Sequence, residues 1–188
     1  MQSLRIVLLC IAAAIGYGIV HDQITARICI EYFTVFHPLV VASDSPTVQG
    51  LVWGVIATWW VGLFLGLALA AVARIGSWPK RTARQLVRPI LLLMAASAVI
   101  AILAGLMGYA LATADVIWVA PRWADKIPAE HHVAFLADGW AHTASYLAGF
   151  MGGSILIFAT LISRARGARL VRRAAKAERA ANALAEPT

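Results

Sequence analysis

The chain has 188 residues, of which 61% are apolar and only 13% are charged, whereas soluble domains average about 45–50% apolar and about 25% charged residues. This composition excludes a water-soluble fold. In a soluble protein, the formal charge of +7 would suggest binding to nucleic acid. In a membrane protein, the distribution of the basic residues first indicates how the helices are oriented across the membrane. Cys10 and Cys29 form no CxxC or zinc-ligand spacing, so thiol redox chemistry is not indicated.

Four apolar stretches predict four transmembrane helices. Three of them lack charged residues over more than the roughly 20 residues that cross a hydrocarbon core of about 30 Å. The first is shorter and could be a signal peptide, but it has no clean A-x-A cleavage site, and we interpret it as an uncleaved span. The predicted spans are residues 4–21, 51–73, 89–112 and 141–163. We therefore predict an all-α integral membrane protein, with a four-helix bundle over residues 1–163 and a basic tail over 164–188.

The basic residues predict the orientation of the bundle. Thirteen of the sixteen Lys and Arg fall on the side that carries both termini, and only Arg27, Arg122 and Lys126 fall on the other. Because Lys and Arg near helix ends stay cytoplasmic, both termini are predicted to be cytoplasmic. The outer loops, 22–50 and 113–140, would form a small periplasmic cap. An Ala- and Arg-rich sequence without a eukaryotic targeting signal favours a bacterial inner membrane.

The first outer loop combines polar and aromatic residues. In the stretch QITARICIE, residues 23–31, apolar and polar side chains alternate with a period of two, which predicts a short extended or strand-like cap. Glu31 and His37 flank the aromatic run 32–36. We expect this segment to lie over the mouth of the bundle.

Small residues recur inside the spans at four-residue spacing, a pattern that lets membrane helices approach closely. The pairs are Gly50 with Gly54, Gly62 with Gly66, and Gly149 with Gly153. We interpret them as packing contacts within one chain, and a homodimer or a larger membrane complex through one of these faces is the alternative.

The fourth helix is predicted to begin outside the membrane, at Pro128, and then to enter it. His131, Asp138 and His142 occur at i, i+7 and i+11 and therefore share one stripe of the helix. The stripe continues through small residues, so it should face the other helices rather than lipid. Asp138 and His142 are four residues apart, which suits joint ligation of a metal or orientation of the imidazole by the carboxylate.

Histidine and carboxylate side chains on the outer side predict a metal site. Imidazole and carboxylate ligands without paired thiolates suit Zn(II), Fe or Cu(II). The ExxH pairs of di-iron bundles and the histidine boxes of membrane desaturases are absent from the sequence. The candidate ligands are His21, Glu31, His37, His131, Asp138 and His142.

Other interpretations of these residues stay open. They could be ordinary hydrogen-bonded residues of the membrane interface, with Asp138 and His142 as a buried pair. A haem ligated by His21 and His142 is a less favoured cofactor, and a proton relay through Asp138 and His142 is a further alternative. If the protein is an enzyme, a metal-activated water with Glu31 or Asp138 as general base is the simplest chemistry.

The tail carries seven basic residues among many alanines, a helix-prone pattern. Each Lys or Arg beside anionic lipid could gain about 1 kcal/mol at the cytoplasmic face. Nucleic acid is not an expected partner, because the tail lacks the interleaved aromatic residues that stack on bases. The leading hypothesis is a membrane metalloprotein with its site at the outer mouth of the bundle. The alternative is a noncatalytic assembly or interaction subunit that packs through its GxxxG faces.

Overall fold

The computed structural model describes the backbone of residues 1–185 and the side chains of residues 1–182. The protein is 82% helical with no strand in that part, and four of its helices are long and apolar enough to cross a membrane. The prediction of an all-helical chain with four membrane-length helices is therefore confirmed. The helices are α1 (Gln2–Ile28), α2 (Pro46–Ile56), α3 (Trp59–Arg74), α4 (Ala83–Thr113), α5 (Pro121–Ala124) and α6 (His132–Ala185).

Helices α2 and α3 together form the second membrane-length segment, with a short break at Ala57 and Thr58. Helix α6 is by far the longest element, because its 54 residues correspond to about 80 Å at a rise of 1.5 Å per residue. It therefore extends well beyond a hydrocarbon core of about 30 Å. We call the end of the bundle that carries the loop between α1 and α2 the outer end, and the opposite end the cytoplasmic end, after the predicted orientation.

The prediction of a strand-like segment after the first span is wrong. Helix α1 continues through this region to Ile28, and only Cys29 is extended. The buried residues explain the helix, because Asp22, Thr25, Ala26 and Cys29 are all buried and follow the i, i+3, i+4, i+7 spacing of one helical face. The aromatic run that follows forms a π-helical turn, Tyr32–Phe36.

The glycines of α2 and α3 lie against α1. A Cβ added to Gly54 would lie 2.5 Å from the Cα of Ile19, and one added to Gly62 would lie 2.7 Å from the Cα of Ile11. Such contacts are possible only where both backbones approach without side chains between them. These glycines are therefore used for packing within the chain.

We expect Gly54→Ala to destabilise the protein by about 1–3 kcal/mol, because the new methyl group would collide with backbone that cannot move aside cheaply. Gly16→Ala is the matched control, since Gly16 is also helical but no described residue outside its own helical turn lies within 4 Å of its Cβ position. Thermal unfolding in a mild detergent measures both changes. Equal effects of the two variants would contradict the close approach of α1 and α2.

At the cytoplasmic end, α6 holds the loop between α3 and α4 through one arginine. Arg164 is only 2% exposed and donates hydrogen bonds to four backbone carbonyl oxygens. The acceptors are the carbonyls of Val72, Ile75, Trp78 and Pro79. Two of them lie at the C-terminal end of α3, where helix carbonyls lack partners within the helix and the helix dipole favours a cation.

Candidate metal centre

Helices α1 and α6 bring His21, Asp22 and His142 together near the outer end of the bundle. One nitrogen or oxygen atom from each of the three side chains lies within 4.8 Å of the other two. Asp22 and His142 are buried, and His21 is partly buried. Gly50 makes room for the cluster, because a Cβ at this position would lie 2.9 Å from the backbone of Asp22.

The hydrogen bonds of His142 indicate which ring nitrogen carries its proton. Nδ1 lies 3.0 Å from the carbonyl oxygen of Asp138 and 2.8 Å from the carboxylate Oδ1 of the same residue. A carbonyl oxygen can only accept, so Nδ1 is the protonated nitrogen. Because the N–H is directed at the carbonyl, neither carboxylate oxygen of Asp138 receives a well-directed hydrogen bond from a described residue.

In the neutral form of His142, this assignment leaves Nε2 as an acceptor opposite another acceptor. With the proton on Nδ1, Nε2 of a neutral His142 presents a lone pair to Oδ1 of Asp22, at 3.3 Å. Two acceptors repel each other unless a cation, either a proton or a metal ion, lies between them. The same pair is therefore the place where a metal ion would be stabilised.

The distance between these two atoms fits shared ligation. Two ligands at about 2.0–2.1 Å from a tetrahedral ion are about 3.3–3.4 Å apart, whereas a direct hydrogen bond between imidazolium and carboxylate is usually about 2.7–2.9 Å. Nε2 of His21 is buried and has no hydrogen-bond partner among the described residues. It is therefore free to serve as a third ligand.

Aromatic side chains cover the cluster. The ring of Tyr32 stacks on His142 with centroids 4.4 Å apart, and the ring of Phe33 contacts it edge to face at 5.6 Å. Both come from the π-helical turn, so the aromatic run does lie over His142. Burial raises the pKa of the Tyr32 phenol, which keeps the hydroxyl neutral over the physiological range.

Glu31 and His131 form a separate pair, 2.7 Å apart. Burial alone would raise the pKa of Glu31, but hydrogen bonds from its own backbone, His131 and Cys29 outweigh burial and lower it. His131 precedes His142 by eleven residues, roughly 16 Å along a helix axis. This pair ties the first outer loop to the start of α6 and stands apart from the cluster around His142.

His37 also lies apart from the cluster. Its Nδ1 is 2.7 Å from the carbonyl oxygen of Tyr32, and its ring packs against Trp53 with centroids 4.5 Å apart. Burial lowers the pKa of His37, so the ring favours its neutral form. These contacts are those of a packed histidine that fixes the π-helical turn.

Of the six predicted ligands, the structure brings together His21, Asp138 and His142 and keeps Glu31, His37 and His131 outside that group. Sequence analysis missed Asp22. The spacing of Asp22, Thr25 and Ala26 fits one face of a helix and could have predicted that Asp22 is buried. The alternating pattern of residues 23–31 favoured a strand instead. The geometry also disfavours haem, since the rings of His21 and His142 already contact each other with centroids 4.6 Å apart and leave no layer for a porphyrin.

Burial raises the pKa of the Cys29 thiol to about 12, so this thiol is neutral and unreactive at physiological pH. It donates a hydrogen bond to Glu31 at 3.3 Å. Cys29 is therefore a structural partner of Glu31 rather than a ligand or nucleophile.

Comparison of the chain with protein-family models, with curated proteins and with solved structures finds no match.

Proposed function

We propose that this chain is a multi-pass inner-membrane metalloprotein that binds one transition-metal ion through His21, Asp22 and His142. The observation that carries the proposal is the 3.3 Å separation of Nε2 of His142 and Oδ1 of Asp22, two atoms that are both acceptors when the ring is neutral. A cation between them removes their repulsion and uses a separation that suits joint ligation. Two imidazoles and one carboxylate suit Zn(II), Fe(II) or Cu(II).

Asp138 contacts the ring of His142 on the side away from the proposed metal ion. Its carboxylate lies 2.8 Å from Nδ1 of His142, where the negative charge raises the basicity of a metal-bound imidazole, while the backbone carbonyl of the same residue accepts the Nδ1 proton and fixes the ring. Glu31 is engaged by His131 and Cys29. Asp138 is therefore the better candidate for a general base if a metal-bound water takes part in a reaction.

Three protein ligands leave at least one coordination position open, as in catalytic rather than purely structural zinc sites. A metal ion bound there would supply Lewis acidity and lower the pKa of a bound water. The aromatic side chains of Tyr32 and Phe33 exclude bulk water from one side of His142.

Metal content of the purified protein tests the proposal. Protein expressed with Zn, Fe and Cu in the medium and purified without chelator is expected to contain close to one transition-metal ion per chain. X-ray absorption should show nitrogen and oxygen ligands with no sulfur, because both cysteines are outside the cluster. Protein without transition metal, together with a spectrum lacking a haem Soret band, would contradict the proposal and favour a hydrogen-bonded cluster.

The proposed site lies on the periplasmic side, because the positive-inside distribution supports cytoplasmic termini. Cysteines introduced at Asp44 and Lys126, which are both exposed, are expected to react with a membrane-impermeant thiol reagent in intact cells. A cysteine at the exposed Ser77 should react only after the membrane is opened. The native cysteines are buried and contribute little background. Labelling of position 77 from outside would invert the proposed topology.

The noncatalytic interaction subunit has less support than the metal site, because two of the three predicted GxxxG pairs, those of α2 and α3, are already used against α1, and only Gly149 of the third pair has no neighbour within 4 Å among the described residues. The exposed basic residues at the end of α6 instead support contact with anionic lipid at the cytoplasmic face.

A further inference from the structure

Four basic residues surround the loop between α3 and α4 at the cytoplasmic end of the bundle. The backbone N–H of Arg81 donates to the carbonyl oxygen of Ala73 at 3.0 Å, which closes the loop and returns Arg81 to the end of α3. There the guanidinium of Arg74 donates to the carbonyl oxygen of Arg81 at 3.2 Å. The side chain of Arg81 in turn donates to the hydroxyl of Ser163 on α6. We call the four residues the basic cluster: Arg74, Lys80, Arg81 and Arg164.

The basic cluster has no acidic partner in the part of the chain that the structure describes. The sequence contains no Asp or Glu from residue 45 to residue 114 or from residue 143 to residue 177. The ion pairs of the described residues all join a histidine to a carboxylate near the outer end. Positive charges that lie close together repel each other, most strongly where solvent screens them least. An anion would relieve this repulsion, so the cluster favours an anionic ligand.

Three members of the cluster can contact such a ligand. Lys80 is exposed, and Arg74 and Arg81 are partly buried. Each of these two arginines makes one side-chain hydrogen bond within the described residues, which leaves its other N–H groups for an anion. Arg164 is only 2% exposed and directs its donors at backbone carbonyls. Because these carbonyls do not cancel its charge, Arg164 adds positive potential from the interior side of the loop.

The loop lies at the membrane surface because it joins two membrane-length helices. Helix α3 ends at Arg74 and α4 begins at Ala83, so only a short loop separates them. Ile75 in this loop is 72% exposed, which is favourable in lipid and costly in water. Trp78, three residues further on, is of the type enriched at the interface of membrane and water. The basic cluster therefore lies at the depth of the lipid headgroups.

We propose that the basic cluster binds the phosphate group of one anionic phospholipid from the cytoplasmic leaflet. Guanidinium groups match the geometry of phosphate oxygens, and Lys80 adds a further positive charge. A zwitterionic headgroup also carries an ammonium group, for which the described part of the cluster offers no carboxylate, so a headgroup with net negative charge is preferred.

The site differs from the general attraction between anionic lipid and the exposed end of α6. Three of its four members are held in place by hydrogen bonds to backbone carbonyls or to Ser163. A preorganised group of donors loses less conformational entropy on binding than mobile surface side chains do. The cluster is therefore expected to bind one lipid at a defined position.

Native mass spectrometry of delipidated protein in a mild detergent tests this inference. The protein is titrated with phosphatidylglycerol or with phosphatidylcholine, which share the phosphodiester group but differ in net charge. The first molecule of phosphatidylglycerol should bind roughly tenfold more tightly than the first molecule of phosphatidylcholine. Equal affinity for the two lipids would overturn the inference.

Single charge changes locate the site. Lys80→Gln should weaken the binding of phosphatidylglycerol about fivefold and leave the unfolding midpoint unchanged, since Lys80 is exposed. Lys176→Gln is the matched control, because it removes the same charge from the exposed end of α6, and it should leave the first binding step unchanged. Arg81→Gln should weaken binding by more than about tenfold, because it removes a phosphate donor as well as a charge. Equal losses in Lys80→Gln and Lys176→Gln would show only general attraction and overturn the site.

Inorganic phosphate distinguishes a lipid site from a site for a soluble anion. Calorimetric titration of the delipidated protein with inorganic phosphate should show no saturable binding in the millimolar range, because phosphate lacks the acyl chains that contact exposed apolar residues such as Ile75. Saturable binding of phosphate that Arg81→Gln abolishes would assign the cluster to a soluble anion instead. The metal centre is not involved, so His142→Ala should bind phosphatidylglycerol as tightly as the wild type.

Discussion

Replacing Arg164 with alanine is expected to destabilise the protein by about 3–5 kcal/mol. The guanidinium is almost fully buried and donates to four backbone carbonyls in α3 and the following loop. Its loss leaves these acceptors without their donors and removes the cation from the C-terminal end of α3. Thermal unfolding in a mild detergent measures the change.

Lysine should rescue Arg164→Ala only in part. An ammonium group carries the same charge, but it cannot direct donors to four carbonyls from one plane as a guanidinium does. Arg166→Ala is the control for lost charge, because Arg166 lies two residues further along the same helix and is exposed. Equal stability of the Arg164→Ala and Arg166→Ala variants would show that the buried hydrogen bonds do not hold the loop.

The membrane helices could be predicted from the sequence because each depends on the mean hydropathy of a long segment. Lipid requires about 20 apolar residues in a row, and such runs are visible without knowledge of the contacts between them. The inward-facing stripe of the fourth helix was predictable for the same reason, since Asp138 and His142 follow the helical period. Both residues are buried near the candidate centre.

The partners across helices could not be predicted in this way. Asp22 and His142 are 120 residues apart, and no sequence spacing indicates that their side chains face each other. Arg164 was counted only as one charge of a basic tail, although the packing of α6 against α3 buries it. Periodicity reports which face of a helix is buried, but the contacts themselves depend on which neighbour covers that face.

The short outer loop shows how a local pattern can mislead. Alternation of apolar and polar residues over 23–31 matched a strand, yet burial follows the helical positions Asp22, Thr25 and Ala26. Three or four alternations in a short segment are compatible with either period. Packing against α2 and α6 decides between them, and the same packing places Asp22 in the cluster.

His142→Ala is expected to abolish the binding of metal because it removes a ligand, and Asp22→Asn is expected to weaken it strongly because it replaces the carboxylate 3.3 Å from Nε2 of His142 with a neutral amide. Asp138→Asn should weaken the affinity for metal by roughly 10-fold, because it removes the negative charge 2.8 Å from Nδ1 of His142 but keeps the backbone carbonyl that accepts the Nδ1 proton. Titration of the apoprotein with Zn(II) measures these affinities. His131→Ala is the matched control, since its half-exposed side chain pairs with Glu31 and with no other side chain in the described part of the chain.

The metal should also stabilise the fold, because a ligand that binds only the folded state contributes about 2.7 kcal/mol at a concentration of 100 times its dissociation constant. The midpoint of thermal unfolding should therefore rise on addition of Zn(II) in the wild type and in His131→Ala but not in His142→Ala. All of these proteins should insert into the membrane, since insertion depends on the apolar spans. Loss of the metal response in His131→Ala and its retention in His142→Ala would move the site to the pair formed by Glu31 and His131. An unchanged midpoint in every variant would leave a shared proton as the cation between Asp22 and His142.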